Sequence, residues 1–425
     1  MKLKINIILA LLLGIGTLAY SQTVITGKIV DATTGIPVPY ANLMLKGSHY
    51  GTISNAQGEF SFVMPLAKKK GRDTLSISRI GYKTKDIEIN KLRKDVVIKL
   101  EPLPVTLKEV GVKGKPTTVK ELLKHAWENY AGNILTDSMV SRHYYVRNYA
   151  RHNRFFFSEK AVFSTSDNRM DIDSMYAYEL KSSCGYLKAH RNKLLSVGAW
   201  YLIWITDDNG KPTIKHMFKH WRKAFIDTVY MKDDHLIFKV VWSNKFDKEA
   251  YRKQMQTVKL DPNWASLHTN AFNEIITNNI EIEQLLIDKT DNYKVLEATI
   301  LEESHNWIDL DITSLSYRPV GKKLVLDHSI EYSRQVNKDK SFYVDAYSEM
   351  LLTDIFKADT SRLKPQQVDI NDLFQKLQNN YPLKAHCFPD TTFGEWSKYN
   401  SIVGDSLYIK VNSDLEELHE KYKKK

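Results

Sequence analysis

The chain has 425 residues, 61 of them basic and 50 acidic, with 43% hydrophobic and 11% aromatic content and two cysteines. That length exceeds one ordinary domain and accommodates two or three, each able to bury its own core. Cys184 and Cys387 form no repeated Cys-x-x-Cys pattern, which excludes that class of zinc site. The 23 tyrosines and 16 phenylalanines favour a mainly β protein, because aromatic side chains suit a pleated, half-buried surface.

Residues 1–21 have the pattern of a signal peptide. Lys2 and Lys4 supply the positive start, Ile5 to Thr17 a short apolar run, and Ala19-Tyr20-Ser21 the small residues of a cleavage site before Gln22. No cysteine follows the run, so no lipid anchor is expected there. Taking two lysines from the 61 basic residues leaves 59 against 50 acidic, a net charge of +9 for the exported chain. An exported protein meets little nucleic acid. The basic balance therefore reads as a solubility device, with anionic lipid headgroups or polysaccharide as the partners it fits. Export also permits a Cys184–Cys387 bridge, and two buried thiols fit equally well.

Val24 to Asp31 is the first predicted strand, followed by turn chemistry at Thr33-Thr34-Gly35 and by Pro37 and Pro39, which suit an edge. Ala41 to Leu45 is the next strand. Gly51 and Thr52-Ile53-Ser54 lead into Asn55-Ala56-Gln57-Gly58, where the glycine permits a tight hairpin before Glu59 to Phe62. Thr74 to Ser78, Lys85 to Ile89 and Val96 to Leu100 follow, with Gly81-Tyr82 turning the chain between them. Short strands at regular spacing with a turn after each predict a β-sandwich.

The order TGKIVDATTGIPVPYANLMLKG, GTISNAQGEF, SRIGYKTK resembles the carboxypeptidase-regulatory-like domain, a transthyretin-like β-sandwich. Similar modules follow the signal peptide of exported proteins in Gram-negative bacteria, including TonB-dependent transporters. The resemblance covers about 80 residues and implies a folding, docking or interaction module. Where the family's hairpin turn often carries acidic residues, this chain has Asn55 and Gln57, so the resemblance implies no calcium there.

The zinc carboxypeptidase pattern, His-x-x-Glu with a later His, is matched at His125 and Glu128, with His235 or His268 downstream. His125 flanks a helical stripe of Val119, Leu122, Leu123, Ala126, Trp127 and Tyr130, and reads as a boundary residue. The acidic pairs Asp171/Asp173 and Asp309/Asp311 stand at strand spacing and read as solvated faces. The sequence contains no Gly-x-Ser-x-Gly elbow, His-Glu-x-x-His motif or phosphate-binding Gly-x-x-x-x-Gly-Lys loop.

Prolines and glycines between Glu101 and Pro116 mark a linker, with Val105 to Val110 as a last sandwich strand or a strand pairing elsewhere. Beyond the helix from Thr118, strands are predicted at Arg142–Ala150, Arg154–Thr165, His235–Ser243, Tyr293–Leu301, Lys322–Tyr332 and Ser341–Thr353, the last two joined by a turn at Val336–Lys340. Long antiparallel strands after a helix predict a curved sheet able to receive a helix or an apolar ligand. An outer-membrane barrel is disfavoured, because the strands lack a sustained apolar face. Lys211–Asp227 interleaves basic and aromatic residues and reads as an amphipathic helix or half-buried loop, although such interleaving also stacks on sugars or bases. Asn270–Leu286 and Asp369–Tyr381 show helical spacing.

The expected architecture is mainly β: signal peptide 1–21, sandwich 22–101, linker 102–117, and a larger β-rich α+β domain 118–425 with long, curved antiparallel strands. The expected role is non-catalytic binding or assembly in the periplasm or at the outer membrane, with an envelope hydrolase or a purely structural component as alternatives. No catalytic, cofactor-binding or metal-ligating residue is assigned and no cofactor is expected. The expected partner is an envelope protein, lipid or glycan, not nucleic acid, with peripheral membrane association left open.

Overall fold

A computed structural model describes residues 24–64, 73–79, 81–103, 117–135, 140–152, 156–166, 174–182, 213–244, 281–304, 308–336, 343–357, 391–394 and 396–423. The protein is mainly β. Its N-terminal strands are β1 (Val24–Asp31), β2 (Asn42–Leu45), β3 (Gly51–Ile53), β4 (Glu59–Val63), β5 (Thr74–Ser78), β6 (Lys85–Glu88) and β7 (Val96–Leu100). They form two sheets, β4-β1-β7 and β3-β2-β5-β6. Period-two alternation turns Ile29, Leu43, Leu45, Phe60, Phe62, Leu75, Ile77, Ile98 and Leu100 into one apolar core. The Asn55–Gly58 turn forms as expected. Gly58 has φ +73°, and a Cβ there would lie 2.4 Å from the Ile29 carbonyl oxygen, so only glycine fits. Asn55 Oδ1 accepts the Gln57 and Glu59 amides at 2.9 and 2.8 Å.

Eleven further strands form one sheet: β8 (Val140–His152), β9 (Phe156–Thr165), β10 (Ser174–Ser182), β11 (Ala224–Lys232), β12 (His235–Ser243), β13 (Glu281–Asp288), β14 (Lys294–Ser304), β15 (Ile308–Val320), β16 (Lys323–Val336), β17 (Tyr343–Lys357) and β18 (Thr391–Phe393). Their order is β11-β12-β13-β14-β15-β16-β17-β8-β9-β10-β18. Every neighbouring pair is antiparallel. Glu281–Leu286 lies in β13, against the helical spacing read over 270–286; alternate burial of Glu283, Leu285 and Ile287 in a sheet overrides the local pattern. The helix candidate at 369–381 lies outside the described residues.

Helix α1 (Val119–Asn133) begins at a Thr118 cap whose Oγ1 accepts the Glu121 amide at 3.2 Å. It buries Leu122, Leu123, Ala126 and Tyr130 against one face of the large sheet. There they join Tyr144, Val146, Phe163, Tyr178, Val240, Leu285, Ala298, Leu315, Leu326, Met350 and Leu352 in a continuous core. Full burial of each leucine contributes about 1.5–3 kcal/mol. A short helix α2 (Thr213–Lys219) and a 3₁₀ turn (Trp221–Lys223) pack beside α1. They occupy 213–223 of the segment read as helix or half-buried loop, whose last residues, 224–227, instead open strand β11. Helix α3 (Ser406–Lys423), absent from the sequence expectations, lies on β8 and β9.

Strand alternation puts Tyr145, Arg147 and Tyr149 opposite Tyr144 and Val146. On that second face Tyr145 packs with Ile53 of the sandwich, and Tyr149 packs with Val411 and Leu415 of α3. The large sheet is thus covered by α1 on one side and by the sandwich and α3 on the other. Its interior strand β8 is buried on both faces from Ser141 to Ala150.

Candidate functional site

A buried assembly of charged side chains lies where sandwich, large sheet and α3 meet. Arg147 and Glu349 are directly opposed in the β17–β8 ladder, and Arg147 is 1% and Glu349 0% exposed. Arg147 Nε donates to Glu349 Oε2 at 2.8 Å, while Nη1 donates to the carbonyls of Ile402 and Val403 at 3.3 and 3.0 Å. Its Nη2 lies 2.7 Å from Glu349 Oε2 and donates to Asp405 Oδ2 at 3.3 Å. Tyr149 also donates to Asp405 Oδ2, and Asp405 Oδ1 accepts the Tyr408 amide at 2.8 Å, capping α3.

His328 of β16 completes the group, with Nε2 3.0 Å from Glu349 Oε1. An ionised carboxylate only accepts, so that nitrogen is the donor. The sandwich supplies Tyr40, whose hydroxyl lies 2.9 Å from that of Tyr347 and whose ring stands 5.3 Å from His328. Tyr40 holds φ +52°, a strained value for tyrosine. Nearby, Arg318 of β15 donates to the His49 carbonyl at 3.1 Å and to Met44 Sδ at 3.0 Å. Asn400 Oδ1 accepts the Val63 amide at 2.7 Å, covering the β4 edge.

Burial opposes ionisation of Glu349, yet Arg147 and His328 more than offset it and hold the carboxyl below its ordinary range. Burial likewise opposes the charge on Arg147, while the Glu349 and Asp405 carboxylates keep it protonated. Burial pushes the Tyr40, Tyr149 and Tyr347 hydroxyls up, so all three stay neutral. All four carboxylate oxygens of Glu349 and Asp405 face protein donors. Chemically the arrangement clamps three parts of the chain together, a role for which charges need partners more than solvent.

The residues tested as zinc ligands do not assemble. His125 and Glu128 face each other across one helical turn at 3.4 Å, and the His125 ring lies against Tyr293. His235 on β12 pairs with Asp288 at 2.5 Å, and His268 lies outside the described residues. Among the described residues no group of three or more His, Cys, Asp or Glu side chains is placed to share a metal. Asp311 is half-buried beside Glu331, whose carboxyl is raised first by burial and then by Asp311. Asp171, Asp173, Cys184 and Cys387 lie outside the described residues.

Sequence reasoning passed over Arg147, His328, Glu349 and Asp405. A signal existed: Arg147 sits between Tyr145 and Tyr149 on one strand face, and Glu349 between Tyr347 and Leu351. Each is a lone charge in an aromatic or apolar row, which asks for a partner of opposite sign.

The family-model match concerns the sandwich. Residues 25–112 match the model of the CarboxypepD_reg-like domain. The chain is 36% identical over 81 residues to the TonB-dependent receptor SusC of Bacteroides thetaiotaomicron. It is 34% identical over 94 residues to a TonB-dependent receptor of Formosa agariphila. These stretches are 18% and 22% of this chain and 8% of each receptor. A solved structure of lipid–protein interactions in lipovitellin overlaps 55% of this chain and 27% of its own, at 8% identity and a TM-score of 0.24, too low to support an inference. The glycine and proline spacing, the two packed sheets and the family match agree, and the N-terminal sandwich is a CarboxypepD_reg-like domain.

Proposed function

We propose that this chain is an envelope-associated binding or assembly protein, exported by residues 1–21, in which the sandwich is an interaction module on a platform formed by residues 118–425, with 102–117 as linker. The observation that carries the reading is the buried ionic junction. With the Ile53–Tyr145 contact and a 3.5 Å hydrogen bond from Asn55 Nδ2 to the Gly404 carbonyl, it holds the sandwich by its Tyr40, Ile53 and Asn55 side and leaves β6 and β7 facing outward, with Val97 59% exposed and Lys85, Asp86, Glu88 and Lys99 exposed around it. A sandwich held by one side presents its opposite side in one orientation, as a docking module requires. The shared domain in two TonB-dependent receptors supports an envelope setting.

The test is cross-linking in intact cells followed by fractionation and mass spectrometry of what is joined to the chain. Recovery in the envelope fraction, with a defined partner that Val97→Asp and Lys99→Glu together release, is the expected result. A chain found free of the envelope, or a partner retained by the doubly substituted chain, would refute the docking role of that edge.

A further inference from the structure

We infer that α1, α2 and the adjoining 3₁₀ turn form a docking surface for an anionic lipid bilayer. The segment that interleaves basic and aromatic residues runs back alongside α1. Lys215 Nζ stands 5.4 Å from the Trp127 ring centroid, and Lys120 Nζ stands 5.5 Å from that of Trp221. Lys120, Lys124 and Trp127 fall at i, i+4 and i+7 on α1, hence on one helix face. Lys215 and Lys219 fall at i and i+4 on α2. Lys120 and Lys124 on α1, Lys215 and Lys219 on α2, and Arg222 and Lys223 on the 3₁₀ turn are all exposed. Between Thr213 and Ile226 the chain has no acidic residue. The acidic residues Glu121 and Glu128 of α1 offset only part of this charge, Glu128 through a 3.8 Å pair with Lys124. The pKa of His220, beside these lysines, is lowered first by burial and then by neighbouring His216, Lys223 and Lys219.

The chemistry favours headgroups over sugars and bases. Stacking needs a bare aromatic face, whereas Trp221 has both Lys120 and Arg222 over its ring and Trp127 has Lys215. Lysines are flexible point charges suited to many phosphates spread over a plane, and half-buried tryptophans beside lysines and arginines are the composition of a membrane–water interface. A cluster of four to eight such cations is the pattern that draws a protein to anionic lipid. The inference rests on the envelope reading only for where such a bilayer is met.

The experiment is sedimentation of the protein purified from cells with vesicles of phosphatidylglycerol and phosphatidylethanolamine, against vesicles of phosphatidylcholine, at rising salt. Binding to the anionic vesicles is expected to be at least ~10-fold tighter and to weaken as salt shortens the screening length. Neutralising Lys215, Lys219, Arg222 and Lys223 to Gln, and separately Lys120 and Lys124 to Gln, is expected to cost about tenfold or more and about threefold, with unchanged thermal midpoints. The matched neutralisation of exposed Lys85, Arg93, Lys94 and Lys99 on the sandwich is expected to change binding by less than about twofold. Equal binding to both vesicle types, an equal loss from the sandwich variant, or affinity for a soluble anionic polysaccharide without affinity for vesicles would each overturn the inference. Vesicle binding by a chain absent from the envelope fraction would support the surface and refute the setting.

Discussion

The two faces of the same strands are built by opposite means. Toward α1, strands β8, β16 and β17 present Tyr144, Val146, Leu324, Leu326, Met350 and Leu352 to Leu122, Leu123 and Ala126. Toward the sandwich they present Arg147, His328 and Glu349 to Tyr40 and Asp405. Apolar burial is nondirectional and tolerates sliding, so the first face supplies cohesion. Ion pairs out of solvent are satisfied in one geometry only, so the second face specifies where the sandwich and α3 sit.

Arg147→Met breaks that contrast hardest, because it leaves Glu349 and Asp405 buried without their cation. Chemical denaturation is expected to show a loss of about 3–5 kcal/mol. Adding Glu349→Met is expected to restore part of it, and a loss below about 1 kcal/mol for the single change would place the junction among interactions of surface strength. Leu123→Ala on the other face is expected to cost about 2–4 kcal/mol through lost burial and a cavity. Combined with Arg147→Met it should be additive within about 0.5 kcal/mol, and a larger deviation would mean the faces are coupled through the strands.

Acid sharpens the comparison further. Burial pushes the His143 imidazole, on the sandwich face, down to about 3 from its ordinary 6.5. Between those values the unfolded chain binds the proton and the folded chain does not. The contribution is therefore complete above about pH 6.5 and drains as pH falls toward 3, by up to ~1.4 kcal/mol per pH unit. Glu349, held below its ordinary range, loses its contribution only as pH falls below the usual carboxylate range, so the decline between pH 6.5 and 5 reports the depressed imidazoles, the buried His143 first and His220 with the same sign. His143→Gln should flatten the stability profile in that interval, and an unchanged slope would assign it to another group. The smallest expected effect is Thr118→Ala, about 1 kcal/mol by thermal denaturation, from the lost cap of α1.

Strands with clean local patterns were legible: Thr74–Ser78, Val96–Leu100 and His235–Ser243 have the boundaries that alternation predicts. Strand β11 was hidden. Its hairpin to β12 turns through Asp233 and Asp234, at φ +47° and +66°, in place of the Asn-Gly or Asp-Gly that usually marks such a turn. The helix at the chain's end was missed because its buried positions, Val411 and Leu415, make one short stripe in a highly charged stretch.

By itself the sequence determined the sandwich and its family, because the information is local. Alternation sorts each short strand's side chains, and glycines such as Gly58 sit where a positive φ and a close backbone approach allow nothing else. Only the tertiary structure decided the junction. Arg147 meets Glu349 across 202 positions and Asp405 across 258, because β17 pairs with β8 rather than ending the sheet. Ion pairs at such separations follow from strand order, which no local periodicity encodes.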